Sequence, residues 1–584
     1  MKQGMCVLTG VLGLAACVAP LAMGQPGTER KVVYDAAALQ AHSQAPAATQ
    51  LCLRAAGAAR LMIGTNTPFD TEAGENKLHL SGWRGERCSA QLAASTCGGQ
   101  TDALQATCTT LTMGEHSIPA RVSMIRYTKA HGQCVADIIG TERSCPNPAG
   151  VHRGVWLQID IPQDAAPGVY KGSVSISAQG CEPATHDIEL RVEDATLPGP
   201  KDWRIHLDLW QHPQAVARWH DVEPWSAEHF ALLRPIMKRL AEAGQKCITC
   251  TVLDEAWNGQ TYDTFPSMVR WIRGKDGHMR YDYSVLDAWV SFMHDEIGIR
   301  EQISCYSMLP WHLKVRYYDE ASGHEAYLSA DPAKPEFEAV WAPFLQDFHR
   351  HMQEKGWAKK TCIAIDERPD PMVRAAMKLV ALHAPSFRIA SAVDKPSALT
   401  REVYNISPVL THAGSALGDL LRERKAAGRI TTFYVCLHPT TPNTFTHSAP
   451  AESEWLGFFA AANGLDGFLR WAYNSWNRNP MECTDFVHWP SGDCFLVYPG
   501  NRSSIRFERL RDGIEEYEKI NLLRARAAES PEAAAVIGRM NARLAAIFTV
   551  ENSKKPHHTA DVEQARHIIR ETLDALPKAT PARD

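Results

Sequence analysis

The segment Thr361–Pro369, TCIAIDERP, is an apolar run that ends in two acidic residues, an arginine and a proline. The apolar part is short and contains two isoleucines, which is typical of a buried strand. Proline ends the strand because it cannot donate to a sheet ladder. The acidic pair Asp366-Glu367 is therefore predicted at the carboxyl end of a buried strand.

Seven further runs of this kind occur along the chain, and amphipathic helical segments separate them. The eight predicted strands are Arg204–Trp210, Cys247–Leu253, Ile303–Met308, Cys362–Asp366, Phe387–Val393, Val403–Ile406, Arg429–Leu437 and Gly467–Tyr473. The helical segments cover Ser226–Ala243, Val285–Glu296, Glu336–Lys355, Met372–His383, Ala416–Ala427 and Glu452–Ala462. Alternating strands and helices predict an α/β fold, and eight such units predict a (β/α)8 TIM barrel over residues 201–525.

The region before the barrel has an all-β pattern. Val155–Ile161 alternates between apolar and polar residues, and after the turn at Ala166-Pro167-Gly168 the alternation resumes. Short alternating strands joined by proline and glycine turns predict a β-sandwich domain over residues 31–198. The segment Leu197–Pro200 predicts a linker, since its two prolines and glycine cannot extend a strand.

The region after the barrel is predicted to be helical. Ser530-Pro531 is a typical helix start, and Val536, Met540 and Leu544 fall on one face of the helix that follows. Residues 526–584 are therefore predicted to form a C-terminal helical extension.

The N-terminus has the pattern of an export signal. Lys2 precedes an apolar run that ends near Gly24, so residues 1–24 are predicted to be a signal peptide. Cleavage after Ala22-Met23-Gly24 is one option. The other is lipoprotein processing, because Leu14-Ala15-Ala16-Cys17 resembles a bacterial lipobox and would leave a lipid tether on Cys17. Either route predicts an exported bacterial protein that is periplasmic, tethered to the outer membrane or secreted.

Cysteine usage agrees with export, since 14 of the 16 cysteines follow the predicted leader. Disulfides are expected mainly in the N-terminal third, which holds Cys88, Cys97, Cys108, Cys134, Cys145 and Cys181. Cys247 and Cys250 form a CxxC on a predicted strand. Residues three apart on a strand face opposite sides, so a shared metal is not expected.

Charge excludes one class of partner. The 584-residue chain has a formal net charge of -5 and a sequence pI near 6.6, with no block of like charges. It therefore has no electrostatic footprint for nucleic acid.

Two acidic pairs follow predicted barrel strands, where barrel enzymes carry their working residues. Asp254-Glu255 follows the second strand and Asp366-Glu367 follows the fourth. An acidic pair on a loop is most often a solvated turn. Adjacent carboxyl groups can, however, also hydrolyse a glycosidic bond.

In that chemistry one carboxyl group protonates the leaving oxygen. If the sugar carries a 2-acetamido group, the acetamide oxygen can attack C1 while the second carboxylate holds the amide N–H. Repulsion between the carboxylates raises one pKa and keeps the acid protonated near neutral pH. An equatorial acetamide displaces only a leaving group on the opposite face, so a β-linked substrate and retention are predicted.

Several longer segments resemble glycoside hydrolase family 123 over roughly residues 80–525. They are Trp203–Pro213, Ile303–Trp311, Ala364–Pro369, Gly467–Trp476, Gly492-Asp493, Tyr498–Gly500 and Arg506–Glu508. The resemblance implies a retaining β-N-acetylgalactosaminidase with an N-terminal β-sandwich and a catalytic barrel. It implies that Glu367 is the general acid/base and that Asp366 orients the acetamide. The implied substrate is an oligosaccharide or glycolipid that ends in β-linked N-acetylgalactosamine, and no metal or organic cofactor is implied.

Aromatic residues at predicted strand ends are candidates for the sugar-binding surface, because pyranose C–H faces pack on aromatic rings. The family resemblance favours Tyr434 and Trp471 for the subsite of the cleaved sugar. Asp208 and Asn474 are candidates for hydroxyl contacts. The remaining candidates are Trp210, Trp311, Tyr473 and Trp476.

Two alternatives remain open. The protein could be a surface carbohydrate-binding protein without catalysis, which the leader, the β-sandwich and the tryptophans would also fit. It could also be a retaining glycosidase in which Asp208 or Glu255 is the nucleophile opposite Glu367, and such an enzyme would cleave sugars that lack the acetamide.

Overall fold

The computed structural model describes residues 47–56, 77–556 and 558–577. The predicted signal peptide and Cys17 lie outside these residues. Among the helices of the described residues, none is long and apolar enough to span a membrane. The described chain is a mixed α/β structure with a β-rich N-terminal region followed by alternating strands and helices.

The strands of the N-terminal region form two sheets. They are β1 Gln50–Ala56, β2 Lys77–Arg84, β3 Arg87–Cys97, β4 Thr101–Cys108, β5 Leu111–Met113, β6 His116–Ile118, β7 Ala120–Ala130, β8 Gln133–Ile139, β9 Ser144–Asn147, β10 His152–Asp160, β11 Gly168–Ser177 and β12 Ala184–Thr196. One sheet has the order β1-β3-β10-β7-β8, and the other has the order β2-β12-β11-β4-β9. A single buried cluster contains Leu157 of β10 and Leu190 of β12, so both sheets contribute to one apolar core.

The second region contains the predicted parallel strands and some that were not predicted. Its strands are β13 His206–Leu209, β14 Cys247–Thr251, β15 Arg270–Arg273, β16 Met279–Asp282, β17 Gln302–Tyr306, β18 Lys314–Asp319, β19 His324–Ser329, β20 Thr361–Asp366, β21 Arg388–Val393, β22 Asn405–Pro408, β23 Ile430–Thr431, β24 Gly467–Arg470 and β25 Ser503–Ser504. Each of the eight predicted strands overlaps one of these, and the prediction of their existence is confirmed.

The eight predicted strands pair in parallel and in chain order. Six form the sheet β14-β17-β20-β21-β22-β23, and β13 pairs with β24. Single parallel bridges join the two groups, between Leu207 and Gln245 at one side and between Tyr434 and Leu469 at the other. The predicted seventh strand, Arg429–Leu437, was too long. Only Ile430–Thr431 keeps a regular ladder, and Tyr434 rejoins the neighbours through isolated bridges.

The first seven helices lie between the strands, and the last four follow β25. They are α1 Pro213–His220, α2 Ala227–Ala241, α3 Ser284–Ser291, α4 Glu336–Glu354, α5 Asp370–His383, α6 Asp419–Ala426, α7 Pro450–Ala462, α8 Ile505–Ala525, α9 Pro531–Ile547, α10 Val550–Ser553 and α11 His558–Ala575. A π-helical turn, Phe292–Ile297, continues α3. The Ser226 side chain caps α2 by accepting from the His229 N–H, as expected for an N-cap serine.

The C-terminal helices pack against the α/β region. Helices α7 and α8 cross closely at a glycine pair, since a Cβ on Gly457 would lie 2.0 Å from the Gly513 carbonyl oxygen. Helix α11 is held by a buried ion pair between Arg566 Nε and Glu454 Oε1 of α7, at 2.7 Å. The predicted helical character of residues beyond 526 is confirmed for the described part.

A small sheet, missed by the sequence analysis, is inserted among the parallel strands. It has the order β16-β15-β18-β19, and β18 and β19 form an antiparallel hairpin. Strands β15 and β16 follow β14 in the chain, and the hairpin follows β17. The inserted strands therefore follow the carboxyl ends of the parallel strands β14 and β17.

No disulfide joins any of the 14 cysteines of the described residues. The expected disulfides of the N-terminal third are thus not formed here, although Cys52 Sγ and Cys97 Sγ lie 3.7 Å apart on the paired strands β1 and β3. Cys247 and Cys250 both lie on β14. The Cys247 thiol lies 3.2 Å from His206 Nε2, whereas Cys250 pairs in register with Cys305. The two cysteines therefore have different neighbours.

Candidate active site

The adjacent carboxyl groups lie at the carboxyl end of β20. Asp366 is the last residue of the strand, and the Glu367 N–H still donates to the Ala392 carbonyl at 3.1 Å. Glu367 has a φ of 47°, a left-handed conformation that costs energy for a residue with a side chain and is often found at functional sites. The strand end and the left-handed turn together place two carboxyl groups beside each other.

Asp366 is held by a residue from the neighbouring strand end. The Trp311 indole N–H donates to Asp366 Oδ2 at 3.0 Å, and the Arg368 guanidinium lies 5.0 Å from the centre of the Trp311 ring. Burial, with a smaller contribution from the charge of Glu367, raises the pKa of Asp366 to about 7, although the Trp311 hydrogen bond and the Arg368 charge lower it. Two protein groups therefore favour the ionised form of a carboxyl group that burial would otherwise protonate.

Glu367 is held from the other side of the strand. The Tyr434 hydroxyl donates to Glu367 Oε1. Partial burial of the carboxyl group raises the pKa of Glu367, the Tyr434 hydrogen bond opposes this, and the nearby Asp394 charge adds to it. Glu367 is nevertheless an exposed residue, so the carboxyl group lies at an opening of the site rather than within the core. The pair as a whole retains a proton to higher pH than two isolated carboxyl groups would.

An aromatic cluster lies inside the parallel strands near this pair. Trp210 packs against Tyr306 and Trp257, with ring centres 4.6 and 5.1 Å away. Burial raises the pKa of the Tyr306 hydroxyl, and the charges of Asp208 and Asp366 raise it further. Tyr306 therefore connects the cluster electrostatically to Asp366.

Asp208 lies on β13 and is only 3 % exposed. Burial raises its pKa to about 7. Cys247 and Trp210 lie close enough to Asp208 to lower its pKa, but neither Asp208 Oδ1 nor Trp210 Nε1 has a hydrogen bond of good geometry among the described residues. These two predicted sugar contacts therefore have unused polar atoms in a buried setting, where such atoms normally find a partner.

Asp254-Glu255, the second acidic pair, has a different environment. Glu255 Oε1 and Oε2 accept the backbone N–H groups of Phe265 and Gly259, each at 2.7 Å. Asp254 Oδ1 accepts the Ser267 N–H at 2.7 Å, and its other oxygen pairs with Arg316. All four oxygens are therefore occupied, three by loop N–H groups and one by Arg316 of β18.

Trp471 is fixed by a buried ion pair. Arg470 Nη2 lies 2.6 Å from Asp493 Oδ1, and Asp493 Oδ2 accepts the Trp471 indole N–H at 2.9 Å. Both members of the ion pair are almost completely buried. Trp471 itself is half-buried and packs edge-on against Trp489, at 5.6 Å. The hydrogen bond to Asp493 and the contact with Trp489 therefore fix the orientation of the Trp471 ring.

Three predicted contact residues have their polar groups bound to the scaffold. The Tyr473 hydroxyl donates to the Ile236 carbonyl of α2 at 3.0 Å. Asn474 binds both the N–H and the carbonyl of His212, at 2.9 and 3.0 Å. The Trp476 indole N–H donates to the Val497 carbonyl at 2.7 Å. All three are fully buried, and their assignment as sugar contacts stays a prediction.

The structure thus brings Trp311 and Tyr434 together with the carboxyl pair. It adds Asp394, Tyr306 and Trp257, which the sequence analysis did not single out. Asp394 follows the predicted strand Phe387–Val393 directly, so the strand-end rule that selected Asp366 could also have found it. In the described part of the chain, no three His, Cys, Asp or Glu side chains are grouped so that they could hold a metal ion.

Two protein-family models match the chain. The sequence model of the glycoside hydrolase 123 catalytic domain matches residues 210–523, and that of the glycoside hydrolase 123 N-terminal domain matches residues 65–178. The chain belongs to glycoside hydrolase family 123. Asp366, Glu367, Trp311 and Tyr434 all lie within the matched catalytic domain of this family 123 protein.

Solved structures include a similar fold. A family 123 glycoside hydrolase from Clostridium perfringens, studied for glycolipid glycan hydrolysis, is 24% identical, with a TM-score of 0.82 over 90% of this chain and 99% of that chain. A Bacteroides ovatus GH5 xyloglucanase is 9% identical, with a TM-score of 0.30 over 79% of this chain and 100% of that chain. A Vibrio harveyi GH20 exo-β-N-acetylglucosaminidase is 11% identical, with a TM-score of 0.17 over 61% of this chain and 81% of that chain. No curated protein matches the chain.

Proposed function

We propose that this family 123 protein is a retaining β-N-acetylgalactosaminidase that removes terminal β-linked N-acetylgalactosamine from glycans or glycolipids by substrate-assisted catalysis. One observation carries the proposal. Two adjacent carboxyl groups lie at a strand end, and each receives a side-chain hydrogen bond from a different protein donor, Trp311 to Asp366 and Tyr434 to Glu367. This arrangement can give one carboxyl group an ionised role and the other a protonated role.

Asp366 is assigned to the acetamide. Its carboxylate accepts the amide N–H of the substrate and directs the acetamide oxygen to C1. As the C1–O bond to the leaving group breaks, the C1–O bond to the acetamide forms, and an oxazolinium ion results. The negative charge of Asp366 balances the positive charge that develops on this ring. The Trp311 N–H and the Arg368 charge support the role, because both favour ionised Asp366.

Glu367 is assigned to proton transfer. Its carboxylic acid donates a proton to the leaving oxygen, and the resulting carboxylate then takes a proton from the water that opens the oxazolinium ring. Each step inverts C1, so the product retains the β configuration. Tyr434 fixes Glu367 Oε1 and leaves the other oxygen of the carboxyl group for the leaving group.

The backbone pattern supports a closed (β/α)8 barrel as the frame of this site. Eight parallel strands follow one another in chain order, and bridges at Leu207 and Tyr434 connect the two paired groups. The two N-terminal sheets with their shared core support a β-sandwich. The leader at residues 1–24 supports export, with lipid attachment at Cys17 or release by cleavage near Gly24 as the two routes.

The alternative with a protein nucleophile has less support. Both oxygens of Glu255 are occupied by backbone N–H groups, so Glu255 could attack only by releasing its loop. Asp208 is only 3 % exposed and burial raises its pKa to about 7, so about half of it is protonated and not nucleophilic at pH 7. A carbohydrate-binding protein without catalysis would have no need of two neighbouring carboxyl groups with raised pKa values.

A panel of aryl glycosides tests the proposal. We expect hydrolysis of the β-N-acetylgalactosaminide and no hydrolysis of the α-anomer or of the β-galactoside. NMR of the first product should show the β-anomer. A thiazoline analogue of the oxazolinium ion should inhibit well below the KM of the substrate, since it mimics the intermediate. Equal cleavage of galactoside and N-acetylgalactosaminide would contradict the role of the acetamide.

A further inference from the structure

The inserted hairpin β18–β19 carries an aromatic residue that the proposed chemistry does not use. Among the large hydrophobic side chains that are exposed in the described residues, three are aromatic: Tyr262 at 44%, Trp311 at 37% and Tyr327 at 63%. All three occur in segments that follow β14 or β17. The carboxyl ends of parallel strands share one edge, so these aromatic groups gather on the side of the molecule that carries Asp366.

The hairpin is anchored to the rim of the site. The Trp311 N–H donates to the Ala256 carbonyl at 3.1 Å, and the Arg316 guanidinium of β18 pairs with Asp254. Since Asp254 and Ala256 are nearly consecutive, the start of the hairpin is held against a single short loop. The acidic pair Asp254-Glu255 therefore acts as a support for this insertion.

Tyr327 lies beside this anchor. Arg316 and Tyr327 are direct partners in the antiparallel register of β18 and β19, so their side chains project from the same face of the hairpin. Arg316 reaches Asp254 from that face. Tyr327 therefore lies next to Arg316, on the face of the hairpin from which Arg316 binds the Asp254–Ala256 loop. The same loop binds the Trp311 backbone.

Trp311 connects this surface to the catalytic pair, because its indole N–H touches Asp366. Trp311 and Arg316 both bind the Asp254–Ala256 loop, and Tyr327 is the register partner of Arg316. The surface beside Trp311 therefore combines aromatic rings with a guanidinium group and the Glu325 carboxylate, which lies 4.0 Å from Arg316. Aromatic faces with charged hydrogen-bonding groups beside them suit the C–H faces and hydroxyl groups of sugars, whereas an acyl chain would need a purely apolar surface.

We propose that the β18–β19 hairpin forms an aglycone subsite in which Tyr327 packs against a sugar on the reducing side of the scissile bond. This inference rests on the proposed function and adds a specificity-determining residue: Tyr327 favours substrates with sugars on the reducing side over a single sugar on a small aglycone. Trp311 forms the inner wall of the subsite, and Arg316 contributes donors for hydroxyl groups. One face of the Tyr262 ring is covered by Arg218 at 4.6 Å, so Tyr262 offers less free ring surface than Tyr327.

The test compares two substrates and two variants. The substrates are 4-nitrophenyl β-N-acetylgalactosaminide and the trisaccharide in which the same sugar is β-1,4-linked to lactose. Tyr327→Ser should lower kcat/KM for the trisaccharide about tenfold, the size of one lost aromatic contact, and leave the aryl glycoside unchanged. Tyr327→Phe should restore the trisaccharide rate, since the ring face is what packs. Leu382→Ser is the matched control, because Leu382 is also 63% exposed but lies on α5.

Binding of lactose separates failure of this inference from failure of the proposed function. Lactose alone should bind the wild-type protein weakly and show saturation transfer by NMR, and Tyr327→Ser should reduce that signal while Leu382→Ser does not. If neither substrate is cleaved but lactose binding depends on Tyr327, the subsite stands and the proposed activity fails. If the trisaccharide rate and lactose binding are both unchanged in Tyr327→Ser, the subsite is overturned.

Discussion

The two acidic pairs of this protein are the same dipeptide in two different environments. Asp254-Glu255 and Asp366-Glu367 both follow a parallel strand, and both glutamates have left-handed backbones, with φ of 50° and 47°. In the first pair, backbone N–H groups and Arg316 occupy all four oxygens. In the second, Trp311 and Tyr434 bind one oxygen each. The residue types are the same in both pairs. The candidate active site differs because one oxygen of each carboxyl group receives no hydrogen bond from the side chains of the described residues and can bind a substrate.

The largest expected effect is the loss of activity in Glu367→Gln. The amide cannot donate a proton to the leaving oxygen, so we expect kcat/KM for an N-acetylgalactosaminide with a poor leaving group to fall about 1,000-fold, within the range for general acid catalysis. Steady-state kinetics with a methyl and an aryl glycoside measures this. The aryl glycoside should lose less, because its leaving group needs less protonation. Near wild-type activity on both would remove Glu367 from the mechanism.

Glu255→Gln is the matched variant in the other pair. Replacing one acceptor oxygen by an NH2 group leaves a backbone N–H of Phe265 or Gly259 without an acceptor, which should cost about 1–3 kcal/mol of unfolding free energy. We expect a lower melting temperature and nearly unchanged kcat. If Glu255→Gln instead abolished turnover without loss of stability, the assignment of the two pairs would be reversed.

Asp366→Asn should have the next largest effect, about 100-fold in kcat/KM. Asparagine can still orient the acetamide but cannot balance the charge of the oxazolinium ring. The loss should be confined to 2-acetamido substrates that are cleaved by this route. Azide or another external nucleophile should not restore the rate, because Asp366 does not bond to C1. Rescue of turnover by azide would indicate a nucleophilic aspartate.

The same variant should change how stability depends on pH. Asp366 has a pKa of about 7 in the folded protein, against 3.8 without its surroundings. The folded state therefore binds the proton more tightly than the unfolded state. Stability falls as pH rises from about 4 to about 7, and the full loss is present above about pH 7. We expect Asp366→Asn to be more stable than wild type at pH 8, by on the order of 1 kcal/mol, and equal to it at pH 4. Thermal unfolding at both pH values checks the sign.

Sequence patterns predicted the frame of the molecule well, because each parallel strand is a contiguous apolar run and each helix has its own periodicity. They also placed Asp366 and Glu367 at a strand end. They were less successful where structure depends on distant partners. The run Arg429–Leu437 has strand composition, but its ladder covers only Ile430–Thr431. The inserted sheet was missed, since its strands are short and partly exposed.

The difference between the two acidic pairs could not be predicted for the same reason. Trp311 and Tyr434 are 55 and 67 residues away from the carboxyl groups they bind. The donors to Glu255 are backbone N–H groups, and their positions cannot be predicted from residue types. Local sequence identifies carboxyl groups at a strand end, but the fold decides how many donors each one meets.

Tyr434→Phe should have a smaller effect, a loss of kcat of about tenfold. The variant removes the donor that lowers the pKa of Glu367, so that pKa should rise further. A weaker acid protonates the leaving group less effectively, but it stays protonated to higher pH. The alkaline limb of the kcat/KM profile should therefore move to higher pH. An unchanged profile would show that the Tyr434 hydroxyl does not act on Glu367.

Trp311→Phe should have the smallest effect on the maximal rate, only a few-fold, because the aromatic ring beneath Arg368 remains. The lost indole N–H favours ionised Asp366, so its removal should raise the pKa of that carboxyl group. Since the mechanism needs Asp366 ionised, the acidic limb of the kcat/KM profile should move to higher pH, and activity should fall most at low pH. Tyr434→Phe and Trp311→Phe thus move opposite limbs of one profile. If both variants moved the same limb, the division of roles between the neighbouring carboxyl groups would be wrong, even if both groups were essential.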